Sequence, residues 1–339
     1  GTGALRKDSI NDIHPCSVYR KLLAITVLWF TGWTPQAAAQ TDIDAIRELV
    51  AAQLQGVQVG AGYAAIVDFA VSRDISAATF YPDEVEGVYD PKLTSIKLPF
   101  RFDFGAEGAP RRLFLQGHFA YQTLDADFEL LADELIRSEW KTYGGSVSGG
   151  VEIALGDSLK LLPVVSLGYG RIENQADYTG PVGEEFFKPI FSNLLFDWDA
   201  NALVYGASLG LDYRRQVGRF DVEMLGNLTH HRVESTSAST NFAEADGHVT
   251  AFDLEVNAVR PTSWKLGGYP LAVVGLFGLT DIFGPDRDAL GFDRFFEAGL
   301  GLQADLSSRD WSVTSLRLGL KAIFGPDVTG WGLIVGYNF

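Results

Sequence analysis

From residue 57 to the end of the chain, apolar and polar residues alternate with a period of two, the pattern of strands that carry one apolar face. The clearest run sets Ile96, Leu98, Phe100, Phe102 and Phe104 against Lys97, Pro99, Arg101 and Asp103. Leu316, Leu318, Leu320, Ala322 and Phe324 repeat it, interleaved with Ser315, Arg317, Gly319 and Lys321. The last ten residues repeat it again through Trp331, Leu333, Val335, Tyr337 and Phe339. Counted along the chain, the pattern predicts twelve strands: 57–72, 94–104, 111–124, 138–155, 158–171, 199–215, 219–234, 248–260, 269–282, 292–306, 311–324 and 330–339. Most reach the roughly 9–11 residues that a tilted strand needs to cross a bilayer.

The intervals between strands alternate. They begin at about 21, 6, 13, 2, 27 and 3 residues, long then short. Antiparallel barrels of the outer membrane have long loops outside and tight turns at the periplasmic rim, whereas a soluble sandwich has no reason to alternate. Gly156-Asp157 and Gly218 supply the sharp reversals in the short intervals. Tyr63, Phe69, Tyr121, Trp140, Tyr169, Tyr213, Phe220, Trp311, Trp331 and Tyr337 fall near strand ends, where interfacial girdles belong. The expected fold is therefore all-β, a transmembrane antiparallel β-barrel of about twelve strands that closes to satisfy its backbone in lipid.

Ahead of the strands the period changes. Thr41 is a capping residue with Asp44 three positions on, and Ile43, Ile46, Leu49, Val50 and Leu54 mark one helical face. A short N-terminal amphipathic helix is expected within 40–56. Further upstream, Arg20 and Lys21 precede an apolar run from Leu22 to Trp33, Pro35 breaks it, and Ala37 and Ala39 provide small residues for signal cleavage before Gln40. Twelve apolar residues are too few to span a bilayer. The division read from the sequence is an upstream extension and cleavable signal over 1–39, the helix over 40–56 and the outer-membrane β-barrel over 57–339. Cys16, the only cysteine, leaves with the signal, which excludes disulfides and thiolate chemistry.

Composition narrows the function. A mean hydropathy of +0.07 excludes a bundle of membrane helices, and a net charge of −16 without any Lys/Arg block excludes nucleic acid as a partner. The expected surroundings are outer-membrane lipid and lipopolysaccharide, with barrel-assembly machinery and periplasmic chaperones on the way there.

The end of the chain looks like the assembly signal of bacterial outer-membrane barrels, with Tyr337 and the terminal Phe339 in its last strand. A helix immediately before a twelve-stranded barrel resembles the translocator domain of autotransporters. With about 17 residues between the cleavage site and the first strand, the resemblance implies a solitary barrel that carries no passenger. The segment 40–57 contains no Asn, so self-cleavage of the autotransporter kind is not expected.

No residue is assigned a catalytic role, and no metal ligands or cofactor are expected. By strand phase His118 faces the lumen and His230 faces lipid near the outer rim, and His230-His231 reads as an ordinary strand-end pair. A lipid hydrolase or surface protease is the alternative; it requires a Ser or Asp within reach of a His at that rim. The lumen is better marked. The inner face gathers Lys97, Arg101, Arg112, Arg317 and Lys321 on one wall and Asp212, Asp221, Glu223, Asp253, Glu255 and Glu297 on the opposite wall. These charges either lock across a narrow lumen or flank a wet pore. Small residues at Gly60, Gly62 and Ala64 of the first strand and Gly332 and Gly336 of the last predict a smooth seam, which either receives the 41–55 helix and so narrows the pore or only relieves crowding where the ends meet.

Overall fold

The computed structural model describes residues 41–54, 59–72, 77–84, 88–106, 108–131, 134–284, 290–307 and 314–338. The cleavage residues Ala37 and Ala39, the girdle residue Trp311 and the terminal Phe339 lie outside these. Among the described residues two helices come first, α1 (Thr41–Leu54) and α2 (Val59–Ser72). Twelve strands follow: β1 (Ala77–Pro82), β2 (Val88–Phe104), β3 (Arg111–Leu131), β4 (Glu134–Ala154), β5 (Leu159–Tyr178), β6 (Trp198–Val217), β7 (Phe220–Ala238), β8 (Gly247–Leu266), β9 (Tyr269–Phe283), β10 (Arg294–Asp305), β11 (Ser315–Phe324) and β12 (Val328–Asn338). Each pairs with its sequence neighbours, and β1 pairs antiparallel with β12 to close the barrel.

The first predicted strand is wrong. Residues 59–72 form α2, and Gly60, Gly62 and Ala64 therefore build no seam in the wall. The physical reason lies in the absence of a polar face. A barrel strand has one side to lipid and one to the lumen, so its exposure alternates, whereas Gly62 through Ala70 are buried without interruption. A helix that is apolar nearly all round belongs in an interior. Its 14 residues include Ala61, Ala64, Ala65 and Ala70, the best helix formers. The wall begins instead at the six-residue β1. Its first residue, Ala77, pairs with Ile96 and Leu333 partway along β2 and β12, so the chain joins the wall partway up.

The two rims differ. One carries the tight β6–β7 turn at Gly218 (φ 62°) and the β8–β9 turn at Gly267 and Gly268 (φ 60° and 92°), a left-handed pair that suits a two-residue hairpin. At the other rim the β5–β6 connection contains two short helical turns, Gly183–Phe187 and Lys188–Phe191. By the loop-length rule the first is the inner, periplasmic rim and the second the outer. Helix α1 lies at the outer rim, where Arg47 Nη1 donates to the carbonyls of Pro189 (2.8 Å) and Ile190 (3.2 Å). Val50 is buried on it and Ile43 and Ile46 pack beside the core, whereas Leu49, expected on the same face, is exposed.

Outward-facing residues form an apolar belt. On β5 it runs through Leu161, Pro163, Val165, Leu167 and Tyr169, and Arg171, Glu173, Gln175 and Asp177 then continue the same face above it. On β3 it ends at Tyr121, which meets Tyr143 of β4 at 5.2 Å between ring centroids. That span is about the 9–11 residues of a bilayer crossing, so the strands project well beyond it on the outer side. Tyr63, Phe69 and Trp140 are no part of a girdle: all three are buried inside.

The core fills the outer half of the barrel. Tyr63 packs on Trp198 (4.3 Å), and Phe69, Phe80, Phe292 and Phe295 make a cluster with centroid separations of 5.3–6.1 Å. Phe191 and Phe196 from the β5–β6 connection close it from above.

Candidate functional site: a plugged lumen above a polar chamber

Beneath the core the lumen opens into a chamber of about 1890 Å³ that extends to the turn residues Gly105, Gly156 and Asp157 at the inner rim. Helix α2 forms the plug above it, packed on β3, β4, β5, β7 and β8. One reading of the sequence sets the 41–55 helix against the lumen wall; the helix within the lumen is instead its successor, α2.

Polar contacts tie α2 to the wall. Lys97 Nζ donates to the carbonyl of Phe69 at 2.9 Å, in the last turn of the helix, where the negative end of the dipole favours a cation. Gln122 Nε2 donates to the carbonyl of Ile66 at 3.4 Å. Asp68 Oδ1 lies 2.8 Å from His231 Nδ1, with both side chains buried. A carboxylate in such a place requires a partner, and β7 provides it.

His231 has a second contact. Its Nε2 lies 2.9 Å from Ser166 Oγ, two strands away. Ser166 pairs with Gly206 and Gly206 with His231, so the ring reaches across β6. Gly206 makes this possible, since a Cβ there would fall 2.6 Å from His231 Cδ2 and collide with the His230 carbonyl. His230 and His231 therefore face opposite sides of the wall. His230 is exposed on the outward face with Nδ1 2.8 Å from Thr250 Oγ1, while His231 points inward. His118 also faces the chamber, with Nδ1 3.4 Å from Ser146 Oγ.

The predicted lumen charges are distributed among local pairs. Arg101 bonds to Asp103 (3.0 Å) and Glu152 (2.5 Å), Arg112 approaches Glu152 at 3.2 Å, and Lys160 Nζ lies 2.9 Å from the same carboxylate. Glu152 and Lys160 are missing from the two walls read from the sequence. Their inward phase on β4 and β5 is the signal that identifies them, on strands to which no lumen charge is assigned above. Lys321 pairs with Glu297 at 2.7 Å, and Asp212 with Arg214 at 3.1 Å. Arg317 of β11 reaches Glu223 of β7 at 3.4 Å, a contact between strands that are not neighbours in the wall. Asp253 accepts from Thr280 at 2.7 Å and Glu255 from Asn257 at 2.5 Å, and Asp221 is exposed near the inner rim. Opposite signs thus meet within the lumen. Tyr337 lies in the closing strand, opposite Leu316 of β11.

No curated protein matches the chain by sequence. Among solved structures it is similar to the translocator domain of autotransporter NalP from Neisseria meningitidis, at 14% identity over 89% of this chain and 100% of that one, with a TM-score of 0.50. The β domain of the Bordetella autotransporter BrkA is 17% identical, covering 77% of this chain and 96% of that one, with a TM-score of 0.46. At these identities the first likeness speaks for the fold. The model of the solitary outer membrane autotransporter β-barrel domain matches residues 90–339, from β2 through the end of the closing strand, and the chain belongs to that family of outer-membrane barrels.

Proposed function

We propose that this barrel is a pore held shut by its own helix. The observation that carries the reading is the placement of α2, whose buried residues fill the outer half of the lumen above a polar chamber open at the inner rim. A soluble-protein core needs no chamber beneath it, and a purely structural barrel has no use for one lined with Ser, Thr, Asn and paired charges. Interior charges in near balance favour small polar or zwitterionic solutes over ions of one sign. The apolar belt meets outer-membrane lipid, the charged band above Tyr121 and Tyr169 meets lipopolysaccharide, and the closing strand is the part read by the barrel-assembly machinery.

The test is conductance in planar bilayers for the full chain and for a chain lacking residues 41–72. A plug predicts a nearly silent full chain and a clearly conducting truncated one. Equal conductance at equal insertion would refute the reading.

A further inference from the structure

The latch residues are also arranged for chemistry. A carboxylate only accepts hydrogen bonds, so the 2.8 Å contact with Asp68 places the ring proton of His231 on Nδ1. Nε2 then presents its lone pair to the Ser166 hydroxyl at 2.9 Å. Asp68 and His231 are buried, whereas Ser166 is half-buried and lines the chamber together with His231. The dry end of this relay lies in the plug and its wet end faces solvent. A structural latch requires the Asp68–His231 contact alone; it gives no reason for the ring to cross β6 over Gly206 to a serine.

We propose that Ser166 is the nucleophile of a hydrolytic site for small carboxylic esters entering the chamber from the inner rim. His231 Nε2 takes the hydroxyl proton as Oγ bonds to the ester carbonyl carbon. The carbonyl re-forms as the bond to the alkoxy oxygen breaks, and His231 passes its proton to that leaving group. Water then repeats the sequence on the acyl-serine, giving up a proton to His231, which returns it to Ser166 as the acid departs. Asp68 is a positioning residue that fixes the tautomer. Ser148, opposite Ser166 on β4, and Ser208 on β6 line the same chamber and supply hydroxyl donors for the oxyanion. Leu162 and Val164 near Ser166 and the balanced charges of the chamber suit an uncharged acyl group.

This goes beyond the plugged pore and does not need the plug to open, because the chamber is reached from the inner rim. The test uses the full chain folded in detergent, p-nitrophenyl acetate as substrate and a fluorophosphonate as probe. In labelling, Ser166 Oγ bonds to phosphorus, fluoride leaves and the proton passes to His231. We expect one label per chain on Ser166, none on Ser166→Ala, and labelling slower by about a hundredfold or more in His231→Ala and Asp68→Asn. Asp68→Asn also loosens the latch, so a merely structural Asp68 predicts labelling as fast as in the parent chain or faster. That result, absence of label on folded parent chain, or hydrolysis unchanged in Ser166→Ala would overturn the proposal. Conductance of the parent chain and of the chain lacking residues 41–72 judges the pore separately.

Discussion

His231 reaches Ser166 because Gly206, between them, has no side chain. Adding one methyl group there requires the ring or the β7 backbone to move. Gly206→Ala should therefore lower stability by about 1–3 kcal/mol, read as an earlier unfolding midpoint in urea. Gly149→Ala is the control, since a Cβ at that position meets nothing within 4 Å, and should leave the midpoint unchanged. A second residue-scale prediction concerns Lys97. Replacing it by Met removes the hydrogen bond to the Phe69 carbonyl, a loss of about 1–2 kcal/mol from the plugged state. The fraction of time spent open in single-channel records should rise about tenfold, and an unchanged fraction would show that the contact does not hold the plug.

Among the elements, α2 fills the outer half of the lumen, and it is the one that the sequence hid. Strands β2 to β12 were legible because each has two unlike environments, lipid and lumen, which print alternation on residues such as Ile96–Phe104 and Leu316–Phe324. Residues 62–70 meet protein on every side, so the period disappears and a run of apolar residues with glycines reads as a weak strand. The same limit hid the site: Asp68, Ser166 and His231 lie on three elements, and their meeting depends on α2 entering the barrel. Tyr63 tests the packing of this helix. Tyr63→Ala removes a fully enclosed ring packed at a tilt against Trp198 and should weaken plug docking by about 3–5 kcal/mol while the wall stays closed. Increased conductance with intact barrel migration on gels is the expected outcome.

The molecule as a whole has two compartments in one cylinder, an apolar outer half and a wet inner half. The wall should resist detergent until boiled, giving a heat-dependent shift in gel mobility. In the chain lacking residues 41–72, Glu152→Gln leaves Arg101, Arg112 and Lys160 without their shared carboxylate and should shift the reversal potential toward anions. The central claim is that α2 is folded within the lumen, and hydrogen–deuterium exchange of the full chain in detergent tests it with no substitution at all. The backbone amides of residues 62–70 should exchange as slowly as those of the β5 and β6 strands that enclose them. Exchange of these amides at the rate of an unfolded chain, with the strands still protected, would contradict it.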